Sequence, residues 1–268
     1  MHGGRRAAAM IEPGPAGAGI IFRRAELKGA PLIPARPEMI VPSERCTAIG
    51  RAGVEVRTIE HVLAALSLAG VDNAIVNVMS DELPGMDGSA LPFLDAISEA
   101  GSVEQEAERI QAVLTERAEL SGDGTNPWRI TADPAPELSF EFMFRGPGPL
   151  DGRAVSYRPG DEAAGLAGAR TFCYEREIKA IRAAGLGKGG SDENVLVLRD
   201  DGTFLNTARS EDEPVRHKLL DLIGDMRLAG TLPPARIMAE GSGHRANAEF
   251  IRIFITKIKK PEEPSANA

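Results

Sequence analysis

Apolar positions in the first part of the chain come in short pieces, at residues 7–11, 19–22, 39–41 and 54–56, separated by glycine and proline clusters. Runs of that length, punctuated that way, predict short strands and turns. The period then changes. Residues 59–68 read as a helix with Thr58 placed to cap its start and Gly70 to stop it, and the β-branched run at 73–79 reads as a buried strand. A turn at 83–89 and a short helix at 92–100, ended by Gly101, follow, and the polar stretch 105–117 marks a boundary between two halves.

The second half repeats this style without a visible sequence repeat. Strands are expected at 128–131 and 138–144, loop at 147–168, helix at 171–184, a flexible glycine loop at 185–190 and a strand at 195–198. A helix at 213–225, a strand at 235–239, a Gly-Ser-Gly-His loop at 241–244 and a closing helix from Ala246 complete it, with 259–268 as a solvated tail. The helix at 213–225 carries two patterns at once. Pro214 suits its first turn, where a missing N–H costs nothing. Val215, Leu219, Leu222, Ile223 and Met226 share one side, while His217 and Asp221, four residues apart, project from the other with Asp225 one turn further on.

Composition narrows the function classes. With 268 residues, 43% of them hydrophobic, the chain can bury a substantial core. A formal charge of −8 leaves no basic field for nucleic acid or an acidic membrane surface. Two widely spaced cysteines, Cys46 and Cys173, exclude a disulfide framework and a cysteine-rich zinc module, and suit a reducing compartment, by default the cytoplasm. Arg5-Arg6 precedes an apolar run that Glu12 and Pro13 end too early for a signal peptide, and no run approaches the roughly 20 residues of a membrane helix.

Three of the four histidines stand where a site could use them: His61 beside Glu60 at a helix start, His217 on the 213–225 helix, and His244 in its glycine loop. Two imidazoles and a carboxylate form the ligand set of a catalytic zinc, which keeps one position open for water and lowers that water's pKa to about 7. His61, His217 and Asp221 would supply it, with Glu60 as the base. A plainer reading stands beside this one: Glu60 favouring a helix dipole, and His217 and Asp221 a surface pair. Gly185-Leu-Gly-Lys-Gly-Gly190 matches the dinucleotide glycine pattern, but it follows a helix and precedes a strand, the wrong context. With Lys188 and Ser191 it reads as a connector or a ligand-lining loop.

Seven stretches together resemble one family: Thr58-Ile-Glu-His-Val-Leu-Ala-Ala-Leu66, Asp72-Asn-Ala-Ile75, Met86-Asp-Gly-Ser-Ala-Leu-Pro-Phe93, Ala169-Arg-Thr-Phe172, Gly189-Gly-Ser191, Val215-Arg-His-Lys-Leu-Leu-Asp-Leu-Ile-Gly-Asp225 and Ser242-Gly-His244. In this order they are similar to UDP-3-O-acyl-N-acetylglucosamine deacetylase, a zinc enzyme of lipid A biosynthesis. The resemblance implies an α+β fold of two similar domains, 1–106 and 107–268, each a small sheet with two helices, the helices sandwiched between the sheets, and a strand-helix-strand insert near 169–198. It implies that His61, His217 and Asp221 bind Zn2+, that Glu60 activates a water attacking the sugar's acetamide, and that Thr171 and a cationic His244 stabilise the oxyanion. Asp225 would hold His244 cationic, His244 would protonate the departing amine, and Lys218 would add positive charge. Phe172, Tyr174, Ile178, Ile181 and Val195 would line a passage for the acyl chain, although that stripe also fits an ordinary core face, and Ser191 would contact the substrate.

Two departures stand out. Met1-His-Gly-Gly4 resembles a family segment that normally follows an opening strand, and Gly241 stands where the family commonly has lysine. The expectation is a monomeric cytoplasmic hydrolase of a UDP-linked acylated amino sugar, without nucleic-acid partners or membrane insertion. The alternatives are a divergent paralogue acting on another acetamido sugar and a non-catalytic nucleotide-sugar-binding relative.

Overall fold

The computed structural model describes residues 2–109 and 112–259. Along the first half run β1 (Ala9–Pro13), β2 (Ile20–Arg24), β3 (Leu32–Pro34), β4 (Ile40–Val41), β5 (Ala48–Arg51), β6 (Val54–Arg57), α1 (Glu60–Leu68), β7 (Ala74–Val78) and α2 (Leu91–Ala100). The second half holds β8 (Val113–Leu114), β9 (Ala118–Gly122), β10 (Trp128–Pro134), β11 (Ser139–Met143), β12 (Ala154–Tyr157), α3 (Ala164–Ala167), β13 (Phe172–Tyr174), α4 (Ile178–Ala183) and β14 (Leu196–Leu198). It closes with α5 (Glu213–Met226), β15 (Ala235–Glu240), α6 (His244–Phe254) and β16 (Ile258–Lys259).

The fold is α+β, and its two main sheets share a plan. In the first, the order is β1-β7-β2-β3; in the second, β10-β15-β11-β12 repeats it strand for strand, with β9 added outside β10. The senses agree as well: antiparallel, parallel, antiparallel. Each central parallel pair is joined through a crossover that contains a helix, α1 or α5, and each sheet is followed by a second helix, α2 or α6. A parallel pair needs such a crossover, whereas a hairpin suffices for its antiparallel neighbours.

The helices fill the space between the sheets. Val62, Leu63, Ala64, Ala65 and Leu66 of α1 are all at 0% exposure, so the helix is covered on every side. A helix apolar all round belongs in an interior. Gly224 of α5 explains how close α1 comes: a Cβ there would lie 2.1 Å from the Glu60 carbonyl oxygen and 3.2 Å from the Ala64 nitrogen. Phe142 of β11, Ile130 of β10 and Phe250 and Phe254 of α6 close the core on the other side.

Several expectations need correction. Thr58 does not cap α1: its φ of +58° reverses the chain between β6 and the helix, leaving its hydroxyl 3.5 Å from Glu82 Oε1 and no side-chain cap at Ile59. The helix expected over 171–184 begins only at Glu175, as a 3-10 turn leading into α4, because the aromatic residues before it pair as β13 with β14, Phe172 opposite Leu196. The loop expected at 147–168 contains β12, which forms a hairpin with β11 in the register Phe140 to Tyr157. Helix α6 begins at His244 itself. The expected tail lies outside the described residues from residue 260 onward. Among the described residues no helix is long and apolar enough to cross a membrane.

Candidate metal centre and active site

Three helix segments converge where the halves meet. Helix α1 brings Glu60 and His61 in its first turn, α5 brings His217, Asp221 and Asp225 from successive turns, and α6 brings His244 at its first position. All but His244 are buried to 4% exposure or less. The apolar side of α5 packs with Val215, Leu219 and Leu222 at 0% exposure. That packing fixes the opposite side against α1.

His61, His217 and Asp221 offer one donor atom each within 4.8 Å of one another. The two imidazoles stand edge to face with centroids 5.2 Å apart. His217 Nδ1 lies 3.0 Å from the Ala169 carbonyl, which accepts its proton and leaves Nε2 as the donor atom, 3.4 Å from Asp221 Oδ1. Asp221 Oδ2 accepts from Lys218 Nζ at 2.8 Å, whereas Asp221 Oδ1 is buried without a hydrogen-bond partner among the described residues. An orphaned buried carboxylate oxygen is costly. A metal ion held by Asp221 Oδ1 and the two imidazoles removes that cost, so the residues fit one.

Charge is graded across the site. Burial pushes the Glu60 carboxyl up to about 7, against the nearby His244 charge and with Asp221 and Asp225 adding to the rise. Burial, then His217, lowers His61 to about 3, so it stays neutral, as a ligand must. His217 is also lowered, chiefly by burial and against Asp221. Burial would raise Asp221, but the surrounding His217, Lys218 and His244 hold it well below the usual carboxylate range. For His244 burial opposes the charge, yet Asp225 and Asp221 outweigh it and hold the imidazole at about 9. A base near neutrality and a cationic imidazole therefore flank the triad.

Asp225 is braced on both oxygens. Oδ2 faces His244 Nδ1 at 3.0 Å and accepts from Asn247 Nδ2 at 2.8 Å, while Oδ1 accepts from the Thr47 hydroxyl at 2.5 Å. The Thr47 N–H also donates to Glu60 Oε2 at 2.9 Å. Sequence reasoning missed both partners. Asn247 could have been found, lying three residues beyond His244 on the same helix side; Thr47 belongs to no motif.

The remaining expected residues are spread out. Thr171 is half-buried and its N–H donates to the Gly88 carbonyl at 2.7 Å, linking the halves next to Ala169. Phe172 reaches the site, its ring 6.3 Å from that of His217, with Tyr174 behind it at 6.2 Å. Ile178 and Ile181 are half-buried on one side of α4. Ser191 lies in the exposed loop, where its N–H donates to Asn194 Oδ1 at 2.7 Å.

The chain is similar to known proteins over nearly its whole length. The family described as UDP-3-O-acyl N-acetylglycosamine deacetylase matches residues 1–256. A UDP-3-O-acyl-N-acetylglucosamine deacetylase of Thermosynechococcus vestitus is 39% identical over 256 residues, covering 95% of this chain and 88% of that one. The protein of that name from Anaeromyxobacter sp. is 38% identical over 94% of this chain and 83% of its own length. Its namesake from Phenylobacterium zucineum is 39% identical over 96% and 89%. A match running from the first residue to the end of α6, at these identities, means that the chain belongs to the UDP-3-O-acyl-N-acetylglucosamine deacetylase family.

Proposed function

We propose that this chain is a zinc-dependent amidohydrolase, cytoplasmic and monomeric, that removes acetate from a UDP-linked 3-O-acyl-N-acetylglucosamine in lipid A biosynthesis. The observation carrying this reading is the buried His61, His217 and Asp221 triad, with its unpartnered Asp221 Oδ1, set between Glu60 and His244. The relatives' names supply the substrate. Zinc suits two nitrogens and one oxygen with a position left open, and when bound it supplies a Lewis acid that acidifies a water and polarises the amide carbonyl.

The chain's own residues supply the rest. Glu60 takes a proton from the attacking water as the oxygen adds to the acetamide carbon; a carboxyl poised near neutrality can both accept and return it. His244, cationic at neutral pH, faces the developing oxyanion together with Thr171, and Lys218 adds a second positive charge. His244 Nδ1 is engaged by Asp225, so Nε2 gives its proton to the sugar nitrogen as the carbon–nitrogen bond breaks, leaving acetate and a free amine. Phe172, Tyr174, Ile178 and Ile181 would line the acyl passage with Ser191 at its edge, and residues 1–106 and 107–268 would act as two domains closing on one site.

The decisive measurement is zinc content and acetate release from the UDP sugar, for the wild type and for Glu60→Ala. Zinc retained with turnover reduced by about 10²–10⁴ in the variant is expected from loss of a general base. A wild type that binds no metal and releases no acetate would sink the reading.

A further inference from the structure

Thr47 leads into β5 and is buried to 3% exposure. Its backbone clasps the start of α1 from both sides: the N–H donates to Glu60 Oε2 at 2.9 Å, and the carbonyl accepts from the Ile59 N–H at 3.3 Å. Its hydroxyl donates to Asp225 Oδ1 at 2.5 Å and lies 3.1 Å from His244 Nδ1. A hydroxyl has one proton to give and two lone pairs to offer. With the proton committed to Asp225, the Thr47 oxygen can share the His244 Nδ1–H with Asp225 Oδ2, which lies 3.0 Å from that nitrogen.

The consequence is a frame with two anchors. Asn247, itself held through its side-chain oxygen by the Ser242 hydroxyl at 2.8 Å, fixes one oxygen of Asp225 from the second half of the chain. Thr47 fixes the other from the first half. Asp225 cannot then rotate away from His244, and His244 Nδ1 is fully engaged. Nε2, 3.6 Å from Asp221 Oδ2, is left facing the triad.

We propose that Thr47 is a positioning residue that ties the base Glu60 and the acid His244 into one frame across the two halves, through its N–H and its hydroxyl respectively. Its effect on rate rests on the deacetylase reading above; its effect on His244 rests on geometry alone. A residue that merely fills space would behave differently. Valine has the same shape and keeps the backbone N–H, so Thr47→Val removes only the hydroxyl's share of the frame.

The test compares wild type, Thr47→Val and Thr47→Ser as zinc-loaded full chains, measuring kcat and KM on the UDP sugar, zinc content, and the proton resonance of the His244 Nδ1–H by NMR. In Thr47→Val, kcat should fall by about 10–100-fold, as loss of a partner behind a functional side chain typically costs. KM and zinc content should not change, and the resonance should shift or broaden. Thr47→Ser should restore both kcat and the resonance. An unchanged kcat in Thr47→Val, or a loss that follows KM or zinc content instead, overturns the proposal. Should Thr47→Val fail to fold, Thr47→Ala carries the same readouts against Thr47→Ser. If the wild type itself releases no acetate, the deacetylase reading fails and the NMR comparison decides alone: a resonance that Thr47→Val leaves in place overturns the role of Thr47.

Discussion

Glu60 and Glu213 occupy the same place in the two halves, the first residue of the crossover helices α1 and α5, and both are buried, at 2% and 0% exposure. Their surroundings differ in every other respect. Burial pushes Glu213 up, but Arg170 and the N–H groups of Arg209 and Arg170 outweigh it and hold the carboxyl below the usual range. Glu213 accepts from Arg170 Nε at 2.8 Å and from the Arg209 N–H at 2.6 Å, and the Arg170 guanidinium continues to the Thr207 carbonyl at 2.7 Å. Glu60 has a backbone N–H from Thr47 on one oxygen and two further carboxylates close by, and rises to about 7. The Glu213 carboxylate at its helix start is met by an arginine and held as a girder, whereas Glu60 at the matching position is left near neutrality, as the proposed role of base requires. The second half uses its glutamate, through Arg170 and the Arg209 N–H, to hold the loops at 192–193 and 207–209 against α5; in the first half Glu60 accepts from the Thr47 N–H.

Removing the girder should have the largest effect. Glu213→Gln leaves the Arg170 guanidinium buried without its carboxylate, and breaking a buried pair on one side costs about 3–5 kcal/mol. The pH dependence follows from the sign of the shift. Because the folded pKa lies below the unfolded one, the contribution of Glu213 is complete above the ordinary carboxylate range and is lost as pH falls through the folded value. Acid should therefore unfold the wild type partly through Glu213, while Glu213→Gln, already weakened at neutral pH, should show a flatter acid limb in denaturant titrations. A variant as stable as the wild type at pH 7 would mean that the pair is not structural.

The contact between the two crossover helices comes next. Gly224→Ala places a methyl 2.1 Å from the Glu60 carbonyl oxygen, so α1 must move away from α5. The loss from overpacking is about 1–3 kcal/mol, against the fraction of a kcal/mol that alanine returns as a better helix former. Activity should suffer more than stability, because a displacement of about 1 Å in a reacting group can cost 10²-fold in rate. Zinc affinity and acetate release should fall together, since Glu60 and His61 move as one. Full activity in Gly224→Ala would show that the halves can separate without harming the site.

Sequence alone made parts of this comparison visible and hid others. The spacing of His217, Asp221 and Asp225 and the apolar side of α5 were legible because a helix fixes which residues share a face. Glu60 and His61 were legible as adjacent candidates at a helix start, but not their meeting with His217 and Asp221, since nothing local says that α1 lies against α5. Glu213 was not legible as a girder, because its partner Arg170 is 43 residues away. Thr47 was further out of reach, bonding Asp225 across 178 residues from a short connection into β5. The helix at 171–184 was misread because three residues at its start are claimed by a partner strand 24 positions later, Phe172 by Leu196. Local pattern reports periodicity; pairing across the chain decides between competing elements.

The smallest expected effect concerns the one strand by which the sheets differ. In the second half β10 is paired on both sides over Arg129 to Ala132, with β15 and β9. Its counterpart β1 pairs with β7 and stands at the sheet edge, beside a groove of about 1960 Å³ that Ile11, Phe93 and Ile97 help to line. Pro13 at the end of β1 suits an edge, where a missing donor goes unnoticed. The parity of the β1–β7 ladder is set by Gly14 N–H to the Asn73 carbonyl at 3.3 Å and Met79 N–H to the Ala8 carbonyl at 3.1 Å. Antiparallel pairs alternate between bonded and unbonded positions, so the N–H groups of Met10 and Glu12 point to β7 and those of Ala9 and Ile11 point outward. Hydrogen exchange on the folded protein should show that alternation in β1: Ala9 and Ile11 exchanging fast, Met10 and Glu12 protected. Residues 129–132 of β10 should be protected without a break, because each N–H has a partner on one side or the other. Uniform protection along β1 would mean that its outer edge is covered in solution, and the two sheets would then be equivalent down to their edges.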